Sequence, residues 1–318
     1  GPEGTPHMGS SINTNIAAMT ALQSLNATNK QLLTTQNRVS TGLRVADASD
    51  NAAYWSIATT MRGDHSSIST VADALGLGSA TAEIAAKGIE TAIKIAGEIK
   101  DKLMVARTPG VDRTKIQKEI SELQDSLKAV VEGATFNGQN WLQSNSADAA
   151  DENRTIVSSF SRASDGSISI GTITVDLDAM RLIDTDTSAS AGGILDSDIA
   201  LATGTGTVTV LDLDISALED NAEDLADLVA MIEGVDVAIN KMTDAASSLG
   251  AVKTRIDIQK DFAQSLMDAI DTGVGQLVDA DMNAESTRLQ ALQVRQQLGI
   301  SALGIANQSA QMIMRLFQ

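Results

Sequence analysis

The chain has 318 residues, of which 43% are apolar but only 2% aromatic, so its core must be packed by Ala, Val, Ile, Leu and Met. It has no Cys, which excludes disulfides and thiol chemistry. A net charge of −18 disfavours a nucleic-acid partner, and no apolar run reaches the roughly 18 residues needed for membrane insertion.

The opening GPEGTPHMGS, residues 1–10, reads as a tag remnant and is set aside. The stretch after it has no basic segment and no continuous apolar run, so it is not read as a Sec-type signal peptide. The first helix is predicted over residues 12–41, where Ile12, Ile16, Met19, Leu22, Leu25, Leu32 and Val39 recur mostly in steps of three and four. Gly42 is a natural residue to follow its C-terminus. Asp47 and Asp50 resemble a capping pair for a second helix, expected over residues 51–107 and ended by Thr108-Pro109-Gly110. Tyr54 and Trp55, the chain's only Tyr and one of its two Trp, open that helix. A third helix carries Ile116, Ile120, Leu123, Leu127 and Val130 and stops at Gly133.

From Phe136 the period changes. Residues 155–157, 167–175 and 205–213 read as strands, with Asp165-Gly166 as a hairpin turn. Helix returns near Ser216, with Leu225, Leu228, Ile232, Val235, Ile239, Met242, Ala246 and Leu249 in near-heptad spacing. Gly273 and Gly275 mark an expected break. The last helix, over residues 280–317, has Leu289, Leu292, Gln296, Gly299, Leu303, Ala306, Ala310, Ile313 and Phe317 on one face. The expected fold is mainly α and elongated. Its long N- and C-terminal helices pair in a coiled-coil-like bundle, and a small central region is β-rich. Between residues 141 and 233 there are 18 Asp or Glu against three Arg and no Lys, so nearly all the net charge lies in the middle. An acidic middle between nearly neutral, amphipathic ends implies that the ends are buried in something.

No catalytic, cofactor-binding or metal-binding residue is assigned, and no enzyme is expected. His65 is the only histidine outside the tag remnant, too few for a zinc site. Asp176 with Asp178, and Asp212 with Asp214, lack the DxDxDG calcium-loop pattern and read as a solvated acidic rim. Gly76-Leu77-Gly78 and Gly273-Val274-Gly275 lack the strand and spacing of a phosphate cradle. Trp141 is the only aromatic platform a sugar would find in the β region.

Two stretches carry a resemblance. SINTNIAAMTALQSLNATNKQLLTTQNRVSTGLRVADASDNAAYWSIATTMR, residues 11–62, contains Arg38-Val39-Ser40-Thr41-Gly42-Leu43-Arg44-Val45 and then Asp50-Asn51-Ala52-Ala53. VDADMNAESTRLQALQVRQQLGISALGIANQSAQMIMRLFQ, residues 278–318, contains Ala306-Asn307-Gln308 and closes on Leu316-Phe317. Both resemble the bacterial flagellins, and the Ala-Tyr-Trp-Ser-Ile-Ala wording resembles the alphaproteobacterial members. The resemblance covers all but about residues 137–215.

The resemblance implies a subunit that polymerises into an open helical flagellar filament for swimming, secreted through the flagellar type III channel. Its partners would be copies of itself, an export chaperone, a cap and junction proteins, with no nucleic acid and no membrane insertion. Residues 11–41 and 280–318 would form the inner terminal domain. Residues 42–50 and 272–279 would be spokes, 51–135 and 216–271 a helical rod, and 136–215 a short variable region facing outward. The expected assembly residues are Ile12, Ile16, Met19, Leu22, Leu25, Arg38, Arg44, Tyr54, Trp55, Leu289, Leu292, Leu303, Ile313 and Phe317. Arg38 and Arg44 are expected to bond Asp47, Asp50 or carbonyls of a neighbouring subunit. Tyr54 and Trp55 are expected to anchor the spoke or an interface. Asp101-Lys102-Leu103 stands where flagellins detected by the animal innate receptor carry Arg-Glu-Leu, so receptor activation is not expected. The alternatives are a hook–filament junction protein and a surface polysaccharide-binding homologue.

Overall fold

The computed structural model describes residues 15–188, 192–204 and 206–317. Among these residues the helices are α1 (Ile16–Thr41), α2 (Ala52–Ala106), α3 (Arg113–Gly133), α4 (Ala222–Val278) and α5 (Met282–Leu316). Among the described residues, six strands lie between α3 and α4, four of them only two residues long. The chain divides into two compact units, Gly1–Gly63 with Ala269–Gln318, and Asp64–Asp268.

The helix ends follow local chemistry. Gly42 adopts a left-handed φ of 71° and donates its N–H to the Arg38 carbonyl, closing α1. Asp112 opens α3 by accepting from the N–H groups of Thr114 and Lys115, and Asp281 does the same for Asn283 and Ala284 of α5. The cap of α2 differs from the expected Asp47–Asp50 pair. Asn51 accepts from the Tyr54 N–H at 3.1 Å, while Asp50 turns back onto the N–H groups of Ala46 and Asp47. Asp47 is occupied by Ser49, whose hydroxyl and N–H hold its carboxyl below the usual range.

The unit Asp64–Asp268 is built on two antiparallel helices. Ala82, Ala85, Ile89, Ala92, Ala96, Ile99, Leu103 and Ala106 alternate steps of three and four along α2, and all are buried. Leu228, Met231, Val235, Ala238, Met242, Ala245 and Leu249 do the same on α4. Leu225, Ile232, Ile239 and Ala246 pack half-buried beside them. Alanine at every second or third contact keeps the seam narrow, so a core forms with few aromatics. The register is fixed by Lys100 with Asp236 at 2.8 Å, Ser79 with Asp257 at 3.3 Å, and the Glu83–Lys253 ion pair.

α3 joins this core through Ile120, Leu127 and Val131. Its buried glutamines explain a correction. Residues 205–213 were expected to be a strand, but within them only Thr207–Val208 (β6) is paired, with Ile199–Ala200 (β5), and residue 205 lies outside the described residues. Gln124 instead donates to the carbonyls of Val210 and Leu213 at 3.0 and 3.1 Å, and Gln117 accepts from the Ile215 N–H at 3.0 Å. Side chains of α3 thus satisfy the polar backbone that a ladder would otherwise pair. The next helix accordingly starts at Ala222, not near Ser216.

The expected hairpin is present and longer than anticipated. β2 (Asn153–Arg162) pairs antiparallel with β3 (Ile168–Asp176), with a register shift between Val157 and Ser159. Gly166 takes a φ of 89° in its turn. Arg162 on β2 grips Asp64 of α2 with two nitrogens, at 2.9 and 3.1 Å. Two further strands, β1 (Gln143–Ser144) and β4 (Ile183–Asp184), pair in parallel. Asp184 ties the loop beyond β1. Burial pushes its carboxyl up, but the hydroxyl and N–H of Ser146 and the N–H groups of Asp186 and Gly192 outweigh this and lower it to about 2.

Trp141 is buried, at 1% exposure, among the core residues of this unit. That corrects its reading as an aromatic platform, because no face of the ring is open to a sugar. The break expected at Gly273 and Gly275 is also absent. α4 runs on to Val278, and Gly273 serves close approach, since a Cβ there would lie 2.9 Å from the Met61 Cε.

Candidate functional site

The unit containing both chain ends is built on α1 and α5, which pack antiparallel. Asn15 caps α1 by accepting from the Ala18 N–H, and its amide donates to the Ala306 carbonyl at 2.9 Å. Further along, the Gln296 amide donates to Asn29 at 2.9 Å. Near the far end Arg38 meets Glu285 at 3.3 Å.

Burial along both helices follows a regular three–four alternation. On α5 the inward positions are Glu285, Leu289, Leu292, Gln296, Gly299, Leu303, Ala306, Ala310 and Ile313. From Leu289 onward this is the face that the sequence spacing picks out. On α1 they are Ala18, Ala21, Leu25, Thr28, Leu32, Thr35 and Val39. Gly299 lets α5 approach, since a Cβ there would come within 3.0 Å of the Leu25 Cδ1.

The structure therefore separates the expected assembly residues into two sets. Leu25, Leu289, Leu292 and Leu303 lie on the α1–α5 seam within the chain and Ile313 is half-buried on the same face of α5, whereas Ile16, Met19, Leu22 and Phe317 are exposed. Ile12 lies outside the described residues. A further exposed set was not anticipated. Val294, Leu298, Ile305, Met312 and Leu316 fall within an arc of roughly 40° at 100° per residue. Leu298, Ile305 and Met312, spaced by seven, are 63%, 64% and 66% exposed. The sequence signal was present as that seven-residue repeat beside the stronger seam repeat. A groove of about 1040 Å³ runs between α1 and α5, lined by Ile16, Ala17 and Leu25 on one side and Leu298, Ala302 and Ile305 on the other.

Arg38 and Arg44 find partners other than Asp47 and Asp50. Arg38 pairs with Glu285, which is 6% exposed and also lies 3.5 Å from Arg288. Arg44 donates to the Gln276 and Leu277 carbonyls at 2.9 and 2.8 Å, capping the last turn of α4, with its guanidinium 5.8 Å from the Tyr54 ring centre. The backbone reinforces this clasp, because Leu43 bridges Asp279 and Gly42 accepts from the Ala280 N–H at 2.9 Å. Trp55 packs half-buried against a small cluster of Val45, Ala58 and Val278, while Tyr54 remains exposed.

Among the described residues, no group of three or more Asp, Glu or His side chains is placed to hold a metal ion. No described helix is long and apolar enough to cross a membrane. Low-charge terminal helices that pair with each other and still expose long apolar stripes are the features of a self-associating structural subunit.

Comparison with known proteins agrees. Residues 12–147 match the bacterial flagellin N-terminal helical region, and residues 232–317 match the bacterial flagellin C-terminal helical region. The chain is 49% identical to Flagellin C of Rhizobium meliloti (strain 1021), over 97% of this chain and 99% of that one. It is 41% identical to a flagellin of Brucella melitensis biotype 1, over 97% and 99% of the two chains. It is 38% identical to Flagellin A of Rhizobium meliloti (strain 1021), over 97% and 100%. The chain belongs to the flagellin family and is a structural subunit for filament assembly.

Proposed function

We propose that copies of this chain join in an open helical flagellar filament through the exposed faces of α1 and α5. The observation that carries this reading is the exposed line Leu298–Ile305–Met312 of α5, of which Leu298 and Ile305 rim the groove beside the α1 seam. Burying such side chains yields roughly 1.5–3 kcal/mol each, and a contact made head to tail between unlike surfaces extends without closing. Ile16, Met19 and Leu22 of α1 and Phe317, just past α5, belong to the same interface, together with Ile12. Leu25, Leu289, Leu292, Leu303 and Ile313 support it by holding the two helices in register. Arg38, Arg44 and Trp55 fix the clasp between residues 42–50 and 272–279, and Tyr54 remains available to a neighbouring copy.

In this reading residues 11–41 and 280–318 form the inner domain, 51–135 with 216–271 the rod, and 136–215 the outward region whose acid faces water. The family resemblance further supports export through the flagellar type III channel, a chaperone that covers α5 before export, and cap and junction partners at the filament ends. It supports a filament outside the cell that serves swimming. The inverted charges of Asp101 and Lys102, the latter paired with Glu119 at 2.8 Å, support the absence of receptor activation.

The test replaces Leu298 and Ile305 with Asp. Both side chains are exposed, so the helix content of the isolated variant should match the parent by circular dichroism. At concentrations where the parent pellets as filaments, the variant should remain in the supernatant. Filaments formed equally well by the variant would refute the proposal.

A further inference from the structure

We infer that Met19, Met312 and Met314 make the unassembled subunit sensitive to peroxide, so that their oxidation blocks its incorporation. The inference rests on the reading of α1 and α5 as the surfaces between copies, and adds a modification site to it.

The chain has no Cys, so its 11 thioethers are its only sulfur nucleophiles. They are not distributed evenly. Met180, Met231, Met242 and Met267, all in the unit Asp64–Asp268, are buried. Met19, Met312 and Met314, all on α1 or α5, are exposed by more than half. Met19 stands one turn from both Ile16 and Leu22, and Met312 continues the line of Leu298 and Ile305. Met19 and Met312 therefore lie on the apolar stripes, Met314 is exposed on another face of the same last turns of α5, and Met282, also exposed, lies at the opposite end of that helix.

The chemistry needs only hydrogen peroxide. A sulfur lone pair attacks one peroxide oxygen and forms the S–O bond as the O–O bond breaks. The second oxygen takes up the proton and leaves as water. Sulfur is oxidised by two electrons and peroxide is reduced by two. The product sulfoxide is a polar hydrogen-bond acceptor on a stiffer, chiral side chain. On a surface that remains in water it costs little. On a surface that must become dry, it carries an unmatched polar group into the contact. The block therefore acts on subunits awaiting assembly, and subunits already in the filament are shielded. It is reversible, because sulfoxide reductases restore the thioether.

The experiment treats free subunits with hydrogen peroxide, maps sulfoxides by mass spectrometry and measures the critical concentration for filament growth. Oxidation at Met19, Met312 and Met314 should raise that concentration at least about tenfold. Treatment with a methionine sulfoxide reductase and a thiol reductant should reverse the rise. A variant with Met19→Leu, Met312→Leu and Met314→Leu retains Met104 and Met282, which are also exposed. It should assemble normally before and after peroxide, which separates the three sites from general damage. The inference is overturned if oxidised parent subunits assemble at the untreated concentration, or if the triple variant loses assembly on treatment as the parent does. Preformed filaments treated in parallel keep the two claims apart. Protection of Met19 and Met312 in the filament, with unimpaired assembly of oxidised subunits, sinks this inference alone. Equal oxidation in filament and free subunit sinks the reading of the surfaces as well.

Discussion

Deleting residues 298–318 leaves a soluble subunit that does not form filaments at any concentration at which the parent does. The deletion removes Leu298, Ile305, Met312, Leu316 and Phe317, all exposed, together with the inward-facing Leu303, Ala306 and Ile313. At roughly 1.5–3 kcal/mol per buried Leu, Ile, Met or Phe side chain, the loss exceeds the net free energy of most subunit contacts after the entropy of association is counted. The unit Asp64–Asp268 contains none of these residues, so its helical signal and cooperative unfolding should persist. Sedimentation and circular dichroism of the truncated protein check both halves, and a pelleting truncation would remove α5 from the assembly surface.

Replacing Trp141 with Ala should destabilise the unit Asp64–Asp268 by about 3–5 kcal/mol, the range for deleting a large buried aromatic side chain. Trp141 is among the largest fully buried side chains, and its indole N–H reaches the Gln139 side-chain oxygen at 3.4 Å. Beside it in sequence, Leu142 fills the space over Gly88, where a Cβ would come within 2.8 Å of the Leu142 Cδ1. The loss would therefore leave a cavity that closely packed neighbours cannot collapse into. Urea denaturation followed by circular dichroism measures the effect. A change below about 1 kcal/mol would mean that the ring is dispensable to the core.

Much of this fold was legible in the sequence because its punctuation is local. Gly42, Gly110 and Gly166 each act through a single positive φ, and α3 stops at Gly133 as expected. The α5 seam was legible because its repeat is carried by Leu289, Leu292 and Leu303. The α1 seam was less so, because Ala18, Ala21, Thr28 and Thr35 share it with Leu25, Leu32 and Val39, while the conspicuous Ile16, Met19 and Leu22 are left exposed. Hydrophobicity reports that a side chain gains from burial. It does not report which partner supplies the burial, a second helix of the same chain or another copy.

The same limit explains the other differences. Gly273 and Gly275 looked like breakers, but the approach of Met61 to Gly273 has no local signature. Residues 209–213 alternate like a strand, yet two glutamines far away in sequence take up the Val210 and Leu213 carbonyls and the Ile215 N–H. Arg44 was expected to bond Asp47, Asp50 or carbonyls of a neighbouring subunit, whereas its partners are helix-end carbonyls of its own chain, more than 230 residues away in sequence. Trp141, set among mostly uncharged polar residues in the sequence, gave no sign that it was core.

The central claim is that the stripe Leu298–Ile305–Met312 is a surface between copies. An electron-microscopic reconstruction of the filament at side-chain resolution tests it most directly. The account predicts these three side chains within about 4.5 Å of apolar side chains from another copy. A filament in which they face open water, with copies touching only through the unit Asp64–Asp268, would contradict it.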